Sequence, residues 1–208
     1  MTESMRCELV SWERFHDLAR GLAFAMHRAR FHPELIVAIG RGGYMPARLV
    51  SDYLDIYDLT DIRIEHYHGA HMQRVARVRY PLATDIAGKR VLLIDDVNDS
   101  GDTFETAIQH LREHGEPAQI RTAVLHHKSV STYRSDFYAE EVTEWRWIIY
   151  PWAVVEDVSA LVNKLDLAQR HPNAVAEQLE QAYGIRLSRE VLGDVLALMR
   201  TARRFSGD

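Results

Sequence analysis

Thirteen residues, Val91 to Thr103, read VLLIDDVNDSGDT and constrain this chain more than any other stretch. Val91 to Asp95 is a short run of branched apolar residues, the pattern of a strand buried on both faces. It delivers Asp95 and Asp96 to its carboxyl end, where open α/β sheets place their ligands. Ser100, Gly101 and Thr103 then lead into helical spacing that runs to Leu111 and closes at Gly115. The amides and hydroxyls of such a loop, with a helix N-terminus behind them, form a socket for a phosphate group. Two carboxylates beside that socket repel an anion unless a divalent cation or sugar hydroxyls intervene, and Mg²⁺ with ribose hydroxyls meets both needs. The plainer alternative is that Asp95 and Asp96 only precede a helix and Ser-Gly-Asp-Thr only caps it. Neither a G-x-x-x-x-G-K-[ST] nor a G-x-G-x-x-G motif is present, which argues against a P-loop or a dinucleotide fold.

The flanking sequence alternates strand and helix signals. Ser11 to Arg30 has a capping serine, Glu13 in the first turn, and Phe15, Leu18, Leu22 and Met26 at helical spacing, with Pro33 ending the pattern. Leu35 to Gly40 is a second buried strand. Tyr44 to Leu54 is helical through Met45, Leu49 and Val50, and Asp61 to Tyr67 alternates like a strand. A polar stretch with Gly69, His71 and Gln73 predicts a mobile loop. Ile120 to Leu125 and Trp145 to Tyr150 complete the strand candidates. From about Asp157 the pattern is purely helical, broken at His171-Pro172 and at Tyr183-Gly184, which predicts two or three helices. Val191, Val195 and Leu198 share one face there, to cover core or form a dimer interface. Strands alternating with helices imply right-handed crossovers and a mostly parallel sheet flanked by helices, an α/β fold. The division expected is 1–156 for the α/β domain and 157–208 for a helical C-terminal extension.

Composition closes several routes. A formal net charge of −5 gives no general attraction for nucleic acid or an anionic membrane, so any anion site must be local. No run approaches the roughly 20 apolar residues of a membrane span, and the charged first residues do not read as a signal peptide. The single Cys7 excludes an internal disulfide and fits a reducing, cytoplasmic setting. The closest histidine pairs, His126-His127 and His66 with His68, lack the spacing of zinc ligands.

The segment Ile94 to Thr103 resembles the signature of the type I phosphoribosyltransferases, closest to the 6-oxopurine (xanthine-guanine and hypoxanthine-guanine) members. The resemblance covers roughly Leu35 to Pro151 and implies the Rossmann-like type I fold. It implies that Asp95 and Asp96 contact the ribose hydroxyls of phosphoribosyl pyrophosphate and support Mg²⁺. It makes Asp99, Ser100, Gly101, Asp102 and Thr103 the loop for the 5′-phosphate, with Ser100 where Thr is usual. Gly40, Arg41, Gly42 and Gly43 match the pyrophosphate loop, which in the family often contains a non-proline cis peptide, so Gly40–Arg41 is expected to be cis or strained. Tyr67 matches the Tyr of a flexible loop that closes over the reacting centre, while His66 stands where Ser is usual. Lys128 matches the donor to the purine 6-oxo group, Trp147 the residue that stacks on the base, and Ile148 the neighbour whose backbone meets the exocyclic edge. Asp99 would also face purine N7 as general acid or base. An acid that in the family follows the aromatic run and helps hold a second metal has no clear match in Ala153-Val154-Val155-Glu156-Asp157.

The resemblance thus implies transfer of a phosphoribosyl group to guanine, hypoxanthine or xanthine, in a homodimer or higher homo-oligomer that binds no nucleic acid and no membrane. Two other readings stay open on sequence alone. One is a transferase for another base, and the other a non-catalytic regulator that senses phosphoribosyl pyrophosphate.

Overall fold

The strand expected at the centre of the chemistry is central in space as well. The computed structural model describes residues 5–68 and 74–205. The strands are β1 (Cys7–Leu9), β2 (Leu35–Gly40), β3 (Leu59–His68), β4 (Arg74–Tyr80), β5 (Arg90–Asn98), β6 (Gln119–Lys128), β7 (Phe137–Val142) and β8 (Trp147–Ile149). The helices are α1 (Trp12–Arg28), α2 (Tyr44–Leu54), α3 (Asp102–His114), α4 (Val154–Lys164), α5 (Pro172–Tyr183) and α6 (Arg189–Phe205). Two compact units result. The larger is Glu13–Glu144, and the smaller joins the residues up to Trp12 with those from Trp145 onward.

In the larger unit six strands run in the order β4-β3-β2-β5-β6-β7, and only the β3–β4 pairing is antiparallel. The fold is the mostly parallel α/β architecture expected. Leu35 to Ile39 and Val91 to Ile94 are fully shielded, because parallel strands carry helices on both faces. Leu35, Val37, Ile39, Val91 and Leu93 share a core with Phe104, Ala107 and Leu111 of α3. Register places Ala38 of β2 beside Ile94 of β5, so both strands end at one edge and release their loops there.

α1 buries Phe15, Leu18, Leu22 and Met26, as its spacing predicts. On α2, Val50 is buried as its spacing predicts, with Pro46, Ala47 and Ser51 beside it; Leu49 is half-buried, whereas Met45 is exposed. β7 and β4 carry no clear strand signal in the sequence; β7 is a half-buried edge strand, and its run FYAEEV does not alternate cleanly. The expected polar loop with Gly69, His71 and Gln73 lies outside the described residues.

The smaller unit holds a separate ribbon in which β1 pairs with β8 in parallel, Cys7 opposite Trp147 and Leu9 opposite Ile149. The strand expected at Trp145 to Tyr150 is therefore shorter and does not join the main sheet; Pro151 follows and cannot donate to a ladder. α4, α5 and α6 cover this ribbon through Val158, Leu161, Val175, Leu179, Val195 and Leu196. Pro172 stands at the start of α5 with His171 as its cap, and Gly184 closes it at φ 76°. On α6 the buried stripe is Leu192, Val195, Leu196 and Met199. Val191 and Leu198, expected to share the covered face with Val195, are exposed at its margins. Among the described residues no helix is long and apolar enough to cross a membrane.

Candidate active site

Asp95 and Asp96 sit at the carboxyl end of β5, and the amide of Asp96 donates to the Asp95 carboxylate at 2.9 Å. Desolvation, reinforced by the neighbouring Asp96 carboxylate, pushes the Asp95 carboxyl well above the ordinary carboxylate range; backbone contacts from Asp96 and Gly43 oppose the shift. A pair of acids held this close has chemical need of a cation or of hydroxyl donors. Among the described residues no cluster of three or more His, Cys, Asp or Glu could hold a metal by itself. Two carboxylates that leave most of a coordination sphere to water and substrate phosphates fit Mg²⁺, which keeps several waters and seldom takes an all-protein cage.

The loop after β2 lies directly against this pair. The Gly40–Arg41 peptide bond is cis, as expected. A side-chain carbon on Gly42 would fall within 2.6 Å of the Asp96 carboxyl, and one on Gly43 would overlap the backbone of Ile39 and Ile94. The two glycines are thus the means by which Gly40 to Gly43 approaches the acids. The loop closes on itself through the Gly43 amide to the Ile39 carbonyl at 2.8 Å, and α2 starts from it. Tyr44 in the first turn donates to Asp61 of β3 at 2.8 Å, and that bond raises the phenol's pKa. The sequence alone does not single out this brace.

The residues Asp99 to Thr103 turn from β5 into α3, with Gly101 at φ 104°. That backbone conformation suits only glycine, and a side chain there would also strike Thr132 and the Tyr133 amide. Asp102 and Glu105 lie in the first turn of α3, where acids complement the helix dipole. A second segment, Ser129 to Ser135 between β6 and β7, grips this turn. The amide and hydroxyl of Thr132 both donate to the Ser100 carbonyl, at 3.0 and 2.8 Å. Asn98, almost fully buried, donates to the Tyr133 carbonyl at 2.7 Å and the Ser135 hydroxyl at 3.0 Å, and accepts from Ser131 at 2.8 Å. His127 stands 3.3 Å from the same Asn98 amide. Nothing in the sequence singles out Asn98, which closes β5 two residues after the acid pair.

Lys128 ends β6 with its side chain only 3% exposed, and its Nζ lies 3.0 Å from the Asp99 carboxylate. A buried ammonium needs such a partner. On the far side of the turn, His66 Nε2 stands 3.0 Å from Thr103 Oγ1. Tyr67 follows on β3, and the contacts expected of its side chain lie outside the described residues. The larger unit thus brings together Asp95, Asp96, Gly40 to Gly43, Asp99 to Thr103 and Lys128.

Trp147 and Ile148 belong to the smaller unit, on β8. Ile148 is buried, and Trp147 is half-buried with a side-chain hydrogen bond to Asp157. Desolvation raises the Asp157 carboxyl to about 6, against the pull of that bond, with Glu156 adding to the rise. The acid that comes late after the aromatic run is therefore engaged by the indole.

The model for the phosphoribosyl transferase domain matches residues 7–157. The xanthine-guanine phosphoribosyltransferase of Cereibacter sphaeroides is 31% identical over 150 residues, which span 69% of this chain and 84% of the relative. Its counterpart in a Ruegeria species is 31% identical over 152 residues, 69% of this chain and 83% of the relative. Among solved structures, a purine phosphoribosyltransferase from Pyrococcus horikoshii is similar with a TM-score of 0.62 and 28% identity, over 70% of this chain and 93% of that one.

Proposed function

The chain belongs to the phosphoribosyltransferase family of enzymes, and from that premise we propose that it transfers the 5-phosphoribosyl group of phosphoribosyl pyrophosphate to guanine, hypoxanthine or xanthine. The observation that carries the choice of base is the pair formed by buried Lys128 and Asp99, 3.0 Å apart at the phosphate loop. A 6-oxopurine presents an acceptor, O6, beside N7. An ammonium fixed by burial donates to O6, but it meets the amino group of adenine donor to donor. A site built to hydrogen-bond one group rejects the analogue that lacks it by about 10⁴-fold.

In this reading Asp99 to Thr103 hold the 5′-phosphate, Gly40 to Gly43 the pyrophosphate, and Asp95 and Asp96 the ribose hydroxyls and Mg²⁺. When bound, Mg²⁺ neutralises charge on the pyrophosphate and helps it depart. A purine nitrogen attacks C1, the bond from C1 to the pyrophosphate oxygen breaks, and the anomeric centre inverts. The centre passes through an oxocarbenium-like state, so the protein's part is to orient the partners and stabilise charge. Asp99 exchanges a proton at N7, Arg41 sets positive charge beside the leaving group, and the loop bearing Tyr67 excludes water from the ribosyl centre. Trp147 and Ile148 are assigned to the base by their order in the chain.

The same reading takes residues 1–156 as the transferase domain and 157–208 as the helical extension. It places the enzyme in the cytoplasm as a homo-oligomer; exposed Phe24, Tyr53 and Tyr57 on the larger unit supply apolar surface for self-association. The reducing compartment is supported by the single Cys7, whose thiol burial raises to about 11, Asp157 adding to the rise.

The deciding experiment incubates the protein with phosphoribosyl pyrophosphate, Mg²⁺ and a panel of radiolabelled bases. Guanine, hypoxanthine or xanthine should yield nucleotide and stoichiometric pyrophosphate, with adenine, uracil and orotate at least about a thousandfold poorer in kcat/KM. Preference for any of those three overturns the choice of base. Tight binding of phosphoribosyl pyrophosphate without turnover of any base would favour a sensing role.

A further inference from the structure

His66, which departs from the family pattern, reaches the phosphate loop from β3. Its Nε2 lies 3.0 Å from Thr103 Oγ1, a hydroxyl at the first turn of α3. The loop needs a positive partner. Asp99-Ser100-Gly101-Asp102-Thr103 contains two acids and no basic residue, yet in the reading above it receives a phosphate monoester that carries close to two negative charges. Lys128, the buried cation at this turn, is engaged with Asp99 at 3.0 Å. Backbone amides and the helix dipole supply only fractional charge. An imidazole held against the Thr103 hydroxyl is within reach of any phosphate oxygen that hydroxyl contacts. It can donate an N–H to that oxygen, and an N–H bonded to a charged oxygen is shorter and stronger than a neutral pair.

We propose that His66 is a phosphate-binding residue, which contributes an N–H donor to the 5′-phosphate of phosphoribosyl pyrophosphate from β3, opposite the amides of the Ser100–Thr103 turn. Serine at this place would present a hydroxyl close to the backbone; histidine carries its nitrogen further out, to the height of Thr103. The strand that leads toward the closing loop is thereby tied to one end of the substrate. The contact belongs to the phosphate end, so it acts on the sugar phosphate and not on the leaving group. This inference rests on the assignment of Asp99 to Thr103 as the phosphate loop.

The test is calorimetric titration of the full chain and of His66→Ala, His66→Ser and His66→Gln, each with three probes: ribose 5-phosphate, phosphoribosyl pyrophosphate with Mg²⁺, and pyrophosphate with Mg²⁺. His66→Ala and His66→Ser should weaken the first two by about tenfold, the loss of one hydrogen bond to a charged group, and leave pyrophosphate unchanged. His66→Gln, which keeps an N–H donor at similar reach, should recover most of the loss. Wild-type affinity for all three probes in His66→Ala overturns the proposal. So does an equal fall for all three, because that marks a structural role. If the unaltered chain binds pyrophosphate but neither sugar phosphate, the phosphate-loop assignment itself fails and takes this inference with it; no base enters the measurement, so the result is independent of base preference.

Discussion

Asp99 faces two demands at once. Its carboxylate pairs with Lys128 at 3.0 Å, while the proposed reaction needs it at purine N7. In the proposed reaction, base binding would exchange one partner for another: O6 would take up Lys128 and N7 Asp99, so that neither charge is stranded in a buried place. Asp99→Asn keeps the size and removes the proton exchange. It should lower kcat by about 10²- to 10⁴-fold, the usual worth of a positioned acid or base, and alter the dissociation constant of phosphoribosyl pyrophosphate by less than about threefold. Steady-state kinetics with a parallel binding titration separates the two quantities. Equal losses in both would mean that the Asp99 side chain serves only the phosphate loop and not the proton. The position of Asp99 was legible because strand, acid pair and glycine turn lie within one short stretch, and each is a local rule. Its partner Lys128 is 29 residues away, across a helix and a strand, and only the parallel pairing of β5 with β6 brings them together.

At the scale of the element, the phosphate turn is not self-supporting. Asn98 anchors it to the segment between β6 and β7 through partners 29 to 37 residues further along the chain, His127, Ser131, Tyr133 and Ser135. No periodicity or motif reports such a network, because its members make sense only after the strands have paired. The same limit appears on α6, where Val195 is covered by core but Val191 and Leu198, placed on its face by spacing, are exposed. Val191 and Leu198 are as apolar as Leu192 and Met199, and what decides between them is the neighbour that α4 and α5 supply. Asn98→Ala strands several buried polar groups, each worth about 1–3 kcal/mol. It should cost roughly 2–4 kcal/mol of stability and raise KM for phosphoribosyl pyrophosphate more than KM for the base. A pH signature accompanies it. Burial lowers the His127 pKa, with Arg134 adding to the effect and Glu141 opposing it, so the folded chain holds this ring neutral as an acceptor. A lowered histidine pKa means that the unfolded chain binds the extra proton first. Its contribution to stability is therefore complete above the ordinary histidine pKa of about 6.5 and is lost as pH falls below it. His110, which accepts from the Leu82 amide at 3.0 Å and whose pKa desolvation also lowers, acts in the same direction. Thermal melts at pH 7 and pH 5 should show acidification costing the unaltered chain more than Asn98→Ala, a difference in which the opposing contributions of the raised Asp95 and Asp157 carboxyls cancel. A parallel fall in both would exclude His127 as a member of the network.

For the whole molecule, the open question is what the last fifty or so residues do, and the smaller unit bears on it directly. The helices α4 to α6 do not merely follow the α/β part. Their buried Val158, Leu161, Val162, Val175, Leu179, Leu192, Val195 and Leu196 share one core with Ile149 of β8, and Cys7 and Leu9 of β1 pack against it. Burying each such side chain is worth about 1.5–3 kcal/mol. β8 carries Trp147 and Ile148, and among the described residues it pairs with β1 alone, in a two-stranded ribbon that is marginal in water without cover. The extension therefore supports, within its own unit, the strand that bears the residues assigned to the base. A chain ending at Glu156 should lose the cooperative unfolding of this unit and expose its apolar face, giving aggregation or a melting temperature lowered by well over 10 °C. Leu179→Ala, a milder lesion in the same core, should cost about 2–5 kcal/mol. The functional consequence is a split that a general loss of fold would not give. In Leu179→Ala, affinity for the base should fall while affinity for phosphoribosyl pyrophosphate, whose assigned loops lie in the larger unit, stays near that of the unaltered chain. Differential calorimetry with separate titrations of the two substrates measures both. Were the shortened chain to melt and bind base like the full one, the helices would have to serve something other than the support of β8.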